Sequence, residues 1–189
     1  SFSLMLGIGG FFTVGERHSF SYGYSYSDSK ANVNASDGTA DETNAIGHGY
    51  TFGYDLILTP IISSSLSLGY SDSDAKVDAG NDYETYEFGL GLNFAFPWAY
   101  IAWSASTSFN DYKVADSSVD ITKLRSDHAT TTDLMITKAV GDIFPIIDPN
   151  RSLFFNLSYE KTFSEANIMN YDYLADSFAI SFSKGLKLN

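Results

Sequence analysis

The acidic segment 72–84 (DSDAKVDAGNDYE) holds the residues of this sequence that could bind a metal ion: Asp72, Asp74, Asp78, Asp82 and Glu84. Ca²⁺ prefers several oxygen ligands on a flexible loop, and carboxylates at this density can supply them. Their spacing departs from the EF-hand loop, which has Asp at alternate positions, Gly at the sixth and Glu at the twelfth. We therefore favour a solvated acidic loop, keep Ca²⁺ at the acidic loops as the alternative, and predict no other cofactor.

Histidine would mark a hydrolytic site, and the chain has 3 histidines: His18, His48 and His128. A nucleophilic serine needs a histidine base that a carboxylate orients, and His128 with Asp127 comes nearest to this arrangement. However, serine is too frequent here to identify a nucleophile. We expect His18 next to a short turn, His128 in a long loop and His48 on an apolar strand face. Polar loop or interface histidines are the favoured interpretation, so we predict neither an enzyme nor a catalytic residue.

The composition excludes several classes of function. The formal net charge is −12, from 11 Lys and Arg against 23 Asp and Glu, and this argues against nucleic acid as a partner. Phosphate binding would need clustered cations. There is no cysteine, which excludes a disulfide framework, a thiol nucleophile and a Cys-ligated metal. Because the 189 residues show no shift in composition, we predict one domain over 1–189.

The segments that carry these residues alternate between apolar and small polar side chains. In 83–112 (YETYEFGLGLNFAFPWAYIAWSASTSFNDY), one side takes Tyr86, Phe88, Leu90, Leu92, Phe94 and Phe96, and the other takes Glu87, Gly89, Gly91, Asn93 and Ala95. A period of two residues predicts β-strands. Nine segments show this pattern, with 130–140 the weakest: 1–14, 18–28, 44–59, 64–73, 86–96, 101–110, 130–140, 152–163 and 173–188.

Two kinds of connection alternate between these segments. Short or proline-bearing turns are predicted at 15–17, 60–62, 97–99 and 141–150, and they contain all 4 prolines. Long acidic loops are predicted at 29–43, 74–82, 113–129 and 164–172. Successive up-and-down strands would place every short turn at one end of the sheet and every long loop at the other, as in membrane barrels.

A soluble sandwich or jelly roll is the alternative for strands with one buried face. Two features favour a membrane instead. The polar face carries Ser, Gly, Ala, Asn and Thr rather than many Lys, Glu and Arg, and most segments supply the ~9–11 residues of a tilted membrane strand. We therefore predict that one face meets lipid through these aromatic residues: Tyr22, Tyr24, Phe52, Tyr54, Phe88, Phe94, Trp103, Phe109, Phe155, Tyr159, Phe178 and Phe182.

With these features the sequence resembles the outer-membrane β-barrel proteins of Gram-negative bacteria, over nearly the whole chain and in architecture rather than in one family's motifs. Such proteins commonly end in a polar-x-Gly-x-x-hydrophobic-x-aromatic signal, which Ser183–Asn189 (SKGLKLN) fits up to its last position. The final aromatic is missing, and this leaves a trimmed C-terminus or a chance match open. The resemblance implies an all-β fold: an antiparallel up-and-down transmembrane β-barrel in the bacterial outer membrane, with extracellular long loops and a periplasmic C-terminus.

An odd number of strands conflicts with this architecture, because bacterial single-chain barrels have an even number. We expect about 8–10 strands in this chain and an N-terminal strand outside it, so that it forms the C-terminal part of a larger barrel. The runner-up has about eight wall strands, with Ser1–Val14 partly a plug. A misread segment at 130–150 is the third explanation. Additional strands or a protein partner would then complete the barrel.

The polar side of the alternation carries the charges that would line such a barrel: Asp55, Glu87, Asp133 and Glu160, with Lys187 near the short-turn end. Four carboxylates against one ammonium would favour cations. The leading function is therefore an outer-membrane channel, porin or translocation conduit with a mildly acidic, Ser/Gly-lined lumen. In the alternative, Glu87 or Glu160 pairs with Lys138 across a filled interior. The long acidic loops of that structural or surface-interaction barrel would bind a partner, lipopolysaccharide or divalent cations.

Overall fold

The structure is a computed structural model that describes residues 2–34, 40–75, 82–115, 122–148, 150–168 and 171–184. Nine strands, numbered in chain order, contain most of these residues: β1 (Phe2–Val14), β2 (His18–Asn34), β3 (Ala40–Thr59), β4 (Ile62–Ala75), β5 (Tyr83–Phe96), β6 (Ala99–Tyr112), β7 (Ser126–Ala139), β8 (Leu153–Ala166) and β9 (Tyr173–Lys184). A single turn of 3₁₀ helix, Val140–Asp142, follows β7. Within the described ranges, no helix has the length and apolar character needed to cross a membrane.

All nine strands form one antiparallel sheet in which each strand pairs with its neighbours in sequence, in the order β1-β2-β3-β4-β5-β6-β7-β8-β9. This confirms the all-β, up-and-down prediction. The two edge strands, β1 and β9, are not paired with each other, so the sheet is not closed. Because successive strands reverse direction and both edges are odd-numbered, β1 and β9 run the same way.

The pairing register places most large apolar side chains on one face of the sheet and most small polar ones on the other, with Met5, Phe11, Met135 and Phe154 as apolar exceptions on the polar side. Directly opposite residues share a face, and one such row runs from Phe20 through Tyr54 and Leu66 to Leu90. The adjacent row passes from Asp55 through Ser65 to Gly91 on the other side. We call these the apolar face and the polar face. A slip of one residue in any pair would exchange them, so the alternation fixes the register.

The short turns lie at the predicted positions, and glycine or proline residues occur in them. Gly15 has a φ of +64°, a conformation that costs glycine nothing but is unfavourable for other residues. Pro60 and Pro97 each begin a two-residue turn, where their missing N–H does not interrupt the ladder. The hydroxyl of Thr59 accepts hydrogen bonds from the backbone N–H groups of Ile61 and Ile62 at 3.3 and 3.1 Å, which tightens the turn before β4.

The predicted long loops were too long, because the strands extend beyond the alternation that revealed them. The predicted loop 29–43 is mostly strand, since β2 continues to Asn34 and β3 begins at Ala40. The loop 113–129 is shorter because β7 begins at Ser126, and β8 continues to Ala166 into the predicted loop 164–172. Where a hairpin extends past the apolar part of its sequence, backbone hydrogen bonds alone join its two strands. The end of the alternation therefore does not mark the end of the strands.

The connection between β7 and β8 is held by one carboxylate. Asp148, 6% exposed, accepts hydrogen bonds from the backbone N–H groups of Ser152 at 2.9 Å and Leu153 at 2.8 Å, and from the Ser152 hydroxyl at 3.1 Å. Desolvation raises its pKa, but these hydrogen bonds outweigh that effect and lower it below the ordinary value. A Cβ at Gly141 would collide with the Asp148 carbonyl oxygen, so the bend also requires glycine there.

Replacing Asp148 tests this connection through the pH dependence of stability. Because its folded-state pKa is lowered, Asp148 contributes stability above the unfolded-state pKa of ~3.9, and that contribution is lost as pH falls through the folded-state value. We expect Asp148→Asn to lower the urea midpoint of unfolding at pH 7, with the difference from wild type disappearing at strongly acidic pH. Asp142→Asn, which breaks an ion pair with the exposed side chain of Arg151, should change the midpoint less. A pH-independent loss in Asp148→Asn would contradict the account.

Candidate functional site

The described residues contain almost no conventional hydrophobic core. Their buried apolar residues are Ala99 and Val140, at 7% and 8% exposure. Large side chains on the apolar face are exposed instead, as in Leu90 at 57% and Phe178 at 63%. No second sheet or helix packs on that face in the part of the chain that the structure describes. A contiguous apolar surface of this extent normally marks contact with another protein or with a membrane.

Aromatic rings form a continuous row across the apolar face. Tyr24, Tyr50, Tyr70 and Tyr86 lie directly opposite one another on β2 to β5, with successive ring centroids 5.2, 6.2 and 5.1 Å apart. The register places all the aromatic residues predicted to face lipid on this same face: Tyr22, Tyr24, Phe52, Tyr54, Phe88, Phe94, Trp103, Phe109, Phe155, Tyr159, Phe178 and Phe182. What that face contacts stays a prediction.

The histidines also lie on the apolar face, each bound to a neighbouring strand. His18 hydrogen-bonds the Tyr54 hydroxyl at 2.8 Å, and the Tyr24 hydroxyl hydrogen-bonds His48 at 2.9 Å. His128 is in β7, not in a loop as predicted, and it hydrogen-bonds the Thr107 hydroxyl at 2.8 Å. Because consecutive strand residues point to opposite faces, Asp127 and His128 are not arranged as an acid–base pair.

Serine and glycine interlock on the polar face. A Cβ at Gly47 would lie 2.6 Å from the Ser27 hydroxyl oxygen, and one at Gly49 would lie 2.5 Å from that of Ser25. The same relation recurs on other strands, in the pairs Gly53–Ser21, Gly89–Ser67 and Gly91–Ser65. Each hydroxyl therefore covers the space that its glycine partner leaves empty. The result is a smooth surface of hydroxyl groups and backbone.

The polar face is also where polar side chains become buried. Thr85, Asp127 and Ser164, all on this face, are buried, although no other layer of the described structure covers them. The Thr85 hydroxyl donates to the Asn110 amide oxygen at 2.7 Å. Arg125 covers Asp127 at the long-loop end. Small cavities along the polar face indicate that this face is concave. Shallow cavities of about 190 and 180 Å³ follow this face, lined mainly by Ser25, Ser27, Gly47, Ser71, Ser73, and by Ser67, Glu87, Ser106, Ser108, Thr131.

The charges of the polar face are all acidic in the described strands. Asp55, Glu87, Asp133 and Glu160 lie on it, as the alternation predicts. Asp133 is directly opposite Glu160 and accepts a hydrogen bond from the Ser104 hydroxyl at 3.3 Å. Two opposite carboxylates repel each other unless water or cations separate them.

Of the two lysines predicted near these carboxylates, the structure describes only Lys138. Lys187 lies outside the described residues. Lys138, the predicted partner of Glu87 or Glu160, is on the apolar face opposite Phe155. There its ammonium donates to the Trp98 carbonyl at 2.9 Å and lies 5.7 Å from the centre of the Trp98 ring. The pairing of Lys138 with Glu87 or Glu160 was therefore wrong, because a two-residue period places it on the opposite side of the sheet.

An ammonium lies between two of the predicted metal ligands. Lys113 contacts Asp72 at 2.5 Å and Asp82 at 3.5 Å, and the hydrogen bond with Asp72 is the main cause of its raised pKa. Asp74 and Glu84 lie nearby on the ends of β4 and β5, while Asp78 is outside the described residues. Within the described ranges, no group of three or more His, Asp or Glu is arranged to hold a metal ion. Ca²⁺ at the acidic loops stays a prediction.

One cluster at the long-loop end was not predicted from the sequence. Arg125 donates from Nε to Asp127 at 2.8 Å, and its guanidinium lies 3.5 Å from the Tyr171 ring centre and 4.5 Å from that of Tyr112. The ring of Tyr112 is tilted by 48° against that of Tyr83, with ring centroids 5.5 Å apart. The sequence offers only a weak signal, an Arg two residues before an Asp at the start of a strand. The tyrosines come from three separate segments.

Comparison with known proteins gives no family: no protein-family model matches the chain, and no curated protein is a significant match. The different chemistry of the two faces of the sheet is therefore the basis for a proposed function.

Removing Arg125 should destabilise the long-loop end. Arg125→Ala would leave the buried Asp127 carboxylate, 7% exposed, without its charged donor, and a lost charge-assisted hydrogen bond costs about 1.5–3 kcal/mol. We expect a decrease of this size in the free energy of unfolding, measured by urea titration in detergent micelles. Lys123→Ala removes an exposed cation from the same segment and should change the free energy by less than ~0.5 kcal/mol. Equal effects of the two substitutions would contradict this role.

Proposed function

We propose that the chain forms the wall of a transmembrane β-barrel in a bacterial outer membrane and that this barrel conducts solutes, with a preference for cations. The observation that carries the proposal is the contrast between the two faces of one curved sheet. The face with large aromatic and aliphatic side chains is uncovered in the described structure, and the concave face carries hydroxyl groups, backbone and carboxylates.

Lipid is the environment that fits the apolar face. Water would oppose the exposure of so many large apolar side chains, while the hydrocarbon of a bilayer accepts them. The strands have 12 to 20 residues, enough for the ~9–11 that a tilted strand needs to cross the bilayer. The long-loop ends, with the Arg125 cluster and acidic connections, would then lie outside the cell. The C-terminal end of β9 would lie on the periplasmic side.

The polar face supports a conduit rather than a filled interior. A barrel of about eight to ten strands is usually filled by its own inward side chains. Here those side chains are mostly Ser, Gly, Ala and Thr, and bulkier groups such as Glu87 are few. In the described strands the face carries carboxylates and no Lys or Arg, so these strands supply no cation that would fill the interior by ion pairing. Cations entering such a lumen would lower the repulsion between Asp133 and Glu160.

Closure of the barrel needs a strand that these nine do not supply. A hydrocarbon environment does not tolerate free sheet edges, because their backbone groups have no water to bind. Since β1 and β9 run the same way, they could pair directly only in parallel. One further strand, or any odd number, would instead continue the antiparallel pattern on both edges. We propose that such a strand, from additional sequence or from a protein partner, completes the wall.

A structural or surface-interaction barrel is the second candidate, and the Arg125 cluster is the observation that favours it. Arg125 stacked on Tyr112 and Tyr171 gives the long-loop end an ordered cationic and aromatic surface. Such a surface could bind a protein partner, and the acidic loops could bind lipopolysaccharide through divalent cations. Single-channel recording separates the two candidates, because a filled barrel is silent.

The conduit predicts an ion selectivity that depends on named carboxylates. In planar bilayers under a KCl gradient, we expect the protein to conduct with a reversal potential that shows a preference for K⁺ over Cl⁻. Glu87→Gln and Asp133→Asn should each lower this preference, and the double variant should lower it further, because each removes a lumen charge. Asp28→Asn, on the apolar face, is the matched control and should leave it unchanged. A folded protein that never conducts would support the second candidate.

Cysteine pairs test whether another strand separates the two edges. The chain has no cysteine, so there is no background. In the protein assembled in its membrane, Ala179→Cys should form a disulfide with Ser158→Cys on the adjacent β8. It should form none with Ser3→Cys, Met5→Cys or Gly7→Cys on β1, because one intervening strand separates the edges by ~9–10 Å, beyond disulfide reach. A β1–β9 disulfide that forms as readily as the control would show direct parallel closure.

A further inference from the structure

Two charged residues interrupt the apolar face on its last two strands. Lys161 of β8 lies between Tyr159 and Phe163 of the same face, and Asp176 of β9 lies between Leu174 and Phe178. The register places Lys161 directly opposite Asp176. Asp176 accepts a hydrogen bond from the Tyr159 hydroxyl at 2.9 Å. Lys161 forms none of the ion pairs found in the described residues.

Other charges on the apolar face lie differently. They follow the last apolar residue at a strand end, so a membrane barrel would hold them in water or at the interface: Asp28, Asp72, Asp74, Glu84, Asp111, Lys138, Glu165 and Lys184. Among the described side chains, Lys161 and Asp176 are the ones flanked by apolar residues on both sides along the strand. A charge in that position faces lipid unless something covers it, and lipid-facing charges destabilise a barrel.

The surface beside this pair is small and hydroxyl-rich rather than bulky. Next to Lys161 across the sheet lie Thr132 and then Ala105. The hydroxyls of Thr107 and Thr130 are 3.2 Å apart, and both are hydrogen-bonded to the His128 ring. The apolar face of β1 to β5 offers no comparable area, since aromatic and aliphatic side chains cover it. Small hydroxyl-bearing residues allow close approach of another protein surface within a membrane.

We propose that this patch of β6 to β9, centred on Lys161 and Asp176, is the interface with a second copy of the chain. This inference rests on the membrane barrel proposed above. Two copies in one membrane share an orientation, so their two-fold axis runs along the membrane normal. An axis that passes between β8 and β9 turns one copy so that its β8 faces β9 of the other. Lys161 then lies opposite Asp176 of the partner subunit, and the reverse pair forms as well.

Charge complementarity favours a second copy over a lipid headgroup. A phosphate or lipopolysaccharide site would need several cations, but the patch has one, Lys161, beside Asp176 and the nearby carboxylates Glu165 and Asp172. A second copy supplies both signs at the correct positions. It removes both charges from lipid in one symmetric contact.

Charge exchange between two chains tests this interface. In nanodiscs or detergent, we expect the wild type to be dimeric by light scattering. Lys161→Asp makes the patch wholly acidic and Asp176→Lys makes it wholly basic, so each variant alone should dissociate at least ~100-fold more readily, since like charges across an interface cost several kcal/mol. Mixed in equal amounts, the two variants should form heterodimers with wild-type affinity. Restoration by mixing cannot arise from the pair within one chain, which stays broken in both variants.

A control variant and a separate assay of folding distinguish failure of the dimer from failure of the barrel. Lys138→Asp makes the same charge change at the short-turn rim of the apolar face and should remain dimeric. Resistance to SDS until boiling, seen as a heat-dependent shift on gels, reports the folded barrel. A wild type with this shift that stays monomeric at all concentrations, or variants that do not associate when mixed, would overturn the dimer alone. A wild type that includes the closing strand proposed above and still shows no shift would overturn both the barrel and the dimer.

Discussion

The uncovered apolar face is the constraint on which the rest of this structure depends. Nine strands form one sheet, and its register collects most of the large apolar side chains on a single side. In a soluble protein a second layer would cover that side and supply the main driving force for folding. The described residues contain no such layer, and the cover proposed above is lipid. Everything proposed for this chain, from membrane insertion to the lumen and the dimer, follows from that requirement.

The same constraint shapes the opposite face. If lipid supports the wide apolar side, the sheet can curl only with its small side chains inward, and the Ser–Gly pairs show how closely that surface packs. Backbone hydrogen bonds and hydroxyls supply polarity without bulk, while Asp55, Glu87, Asp133 and Glu160 supply charge of one sign. The proposed acidic lumen and the proposed lipid-facing exterior are thus two consequences of one pattern. The exterior departs from that pattern only where Lys161 and Asp176 place charge among apolar residues.

Much of this architecture could be predicted from the sequence because the alternation of apolar and polar residues is visible within each strand separately. Alternation located all nine strands and assigned Glu87 and Phe88 to opposite faces. It could not show where a hairpin ends, because the ladder of β2 and β3 continues on backbone hydrogen bonds after the apolar pattern stops. It also missed the Arg125 cluster, which joins side chains from separate segments. The predicted pairing of Lys138 with Glu87 or Glu160 was wrong because it considered the charges and not the face of the sheet on which each residue lies.

The chain carries its own probe for the central claim that the apolar face meets lipid. Trp103 lies on that face in β6, opposite Leu92 and Leu134, whereas Trp98 lies in the turn before the strand. With Trp98→Phe, fluorescence reports Trp103 alone, and lipids brominated at known depths quench a nearby indole. The account predicts strong quenching of Trp103 by bromine placed deep in the acyl chains. No quenching at any depth, in a protein bound to the vesicles and folded, would contradict it.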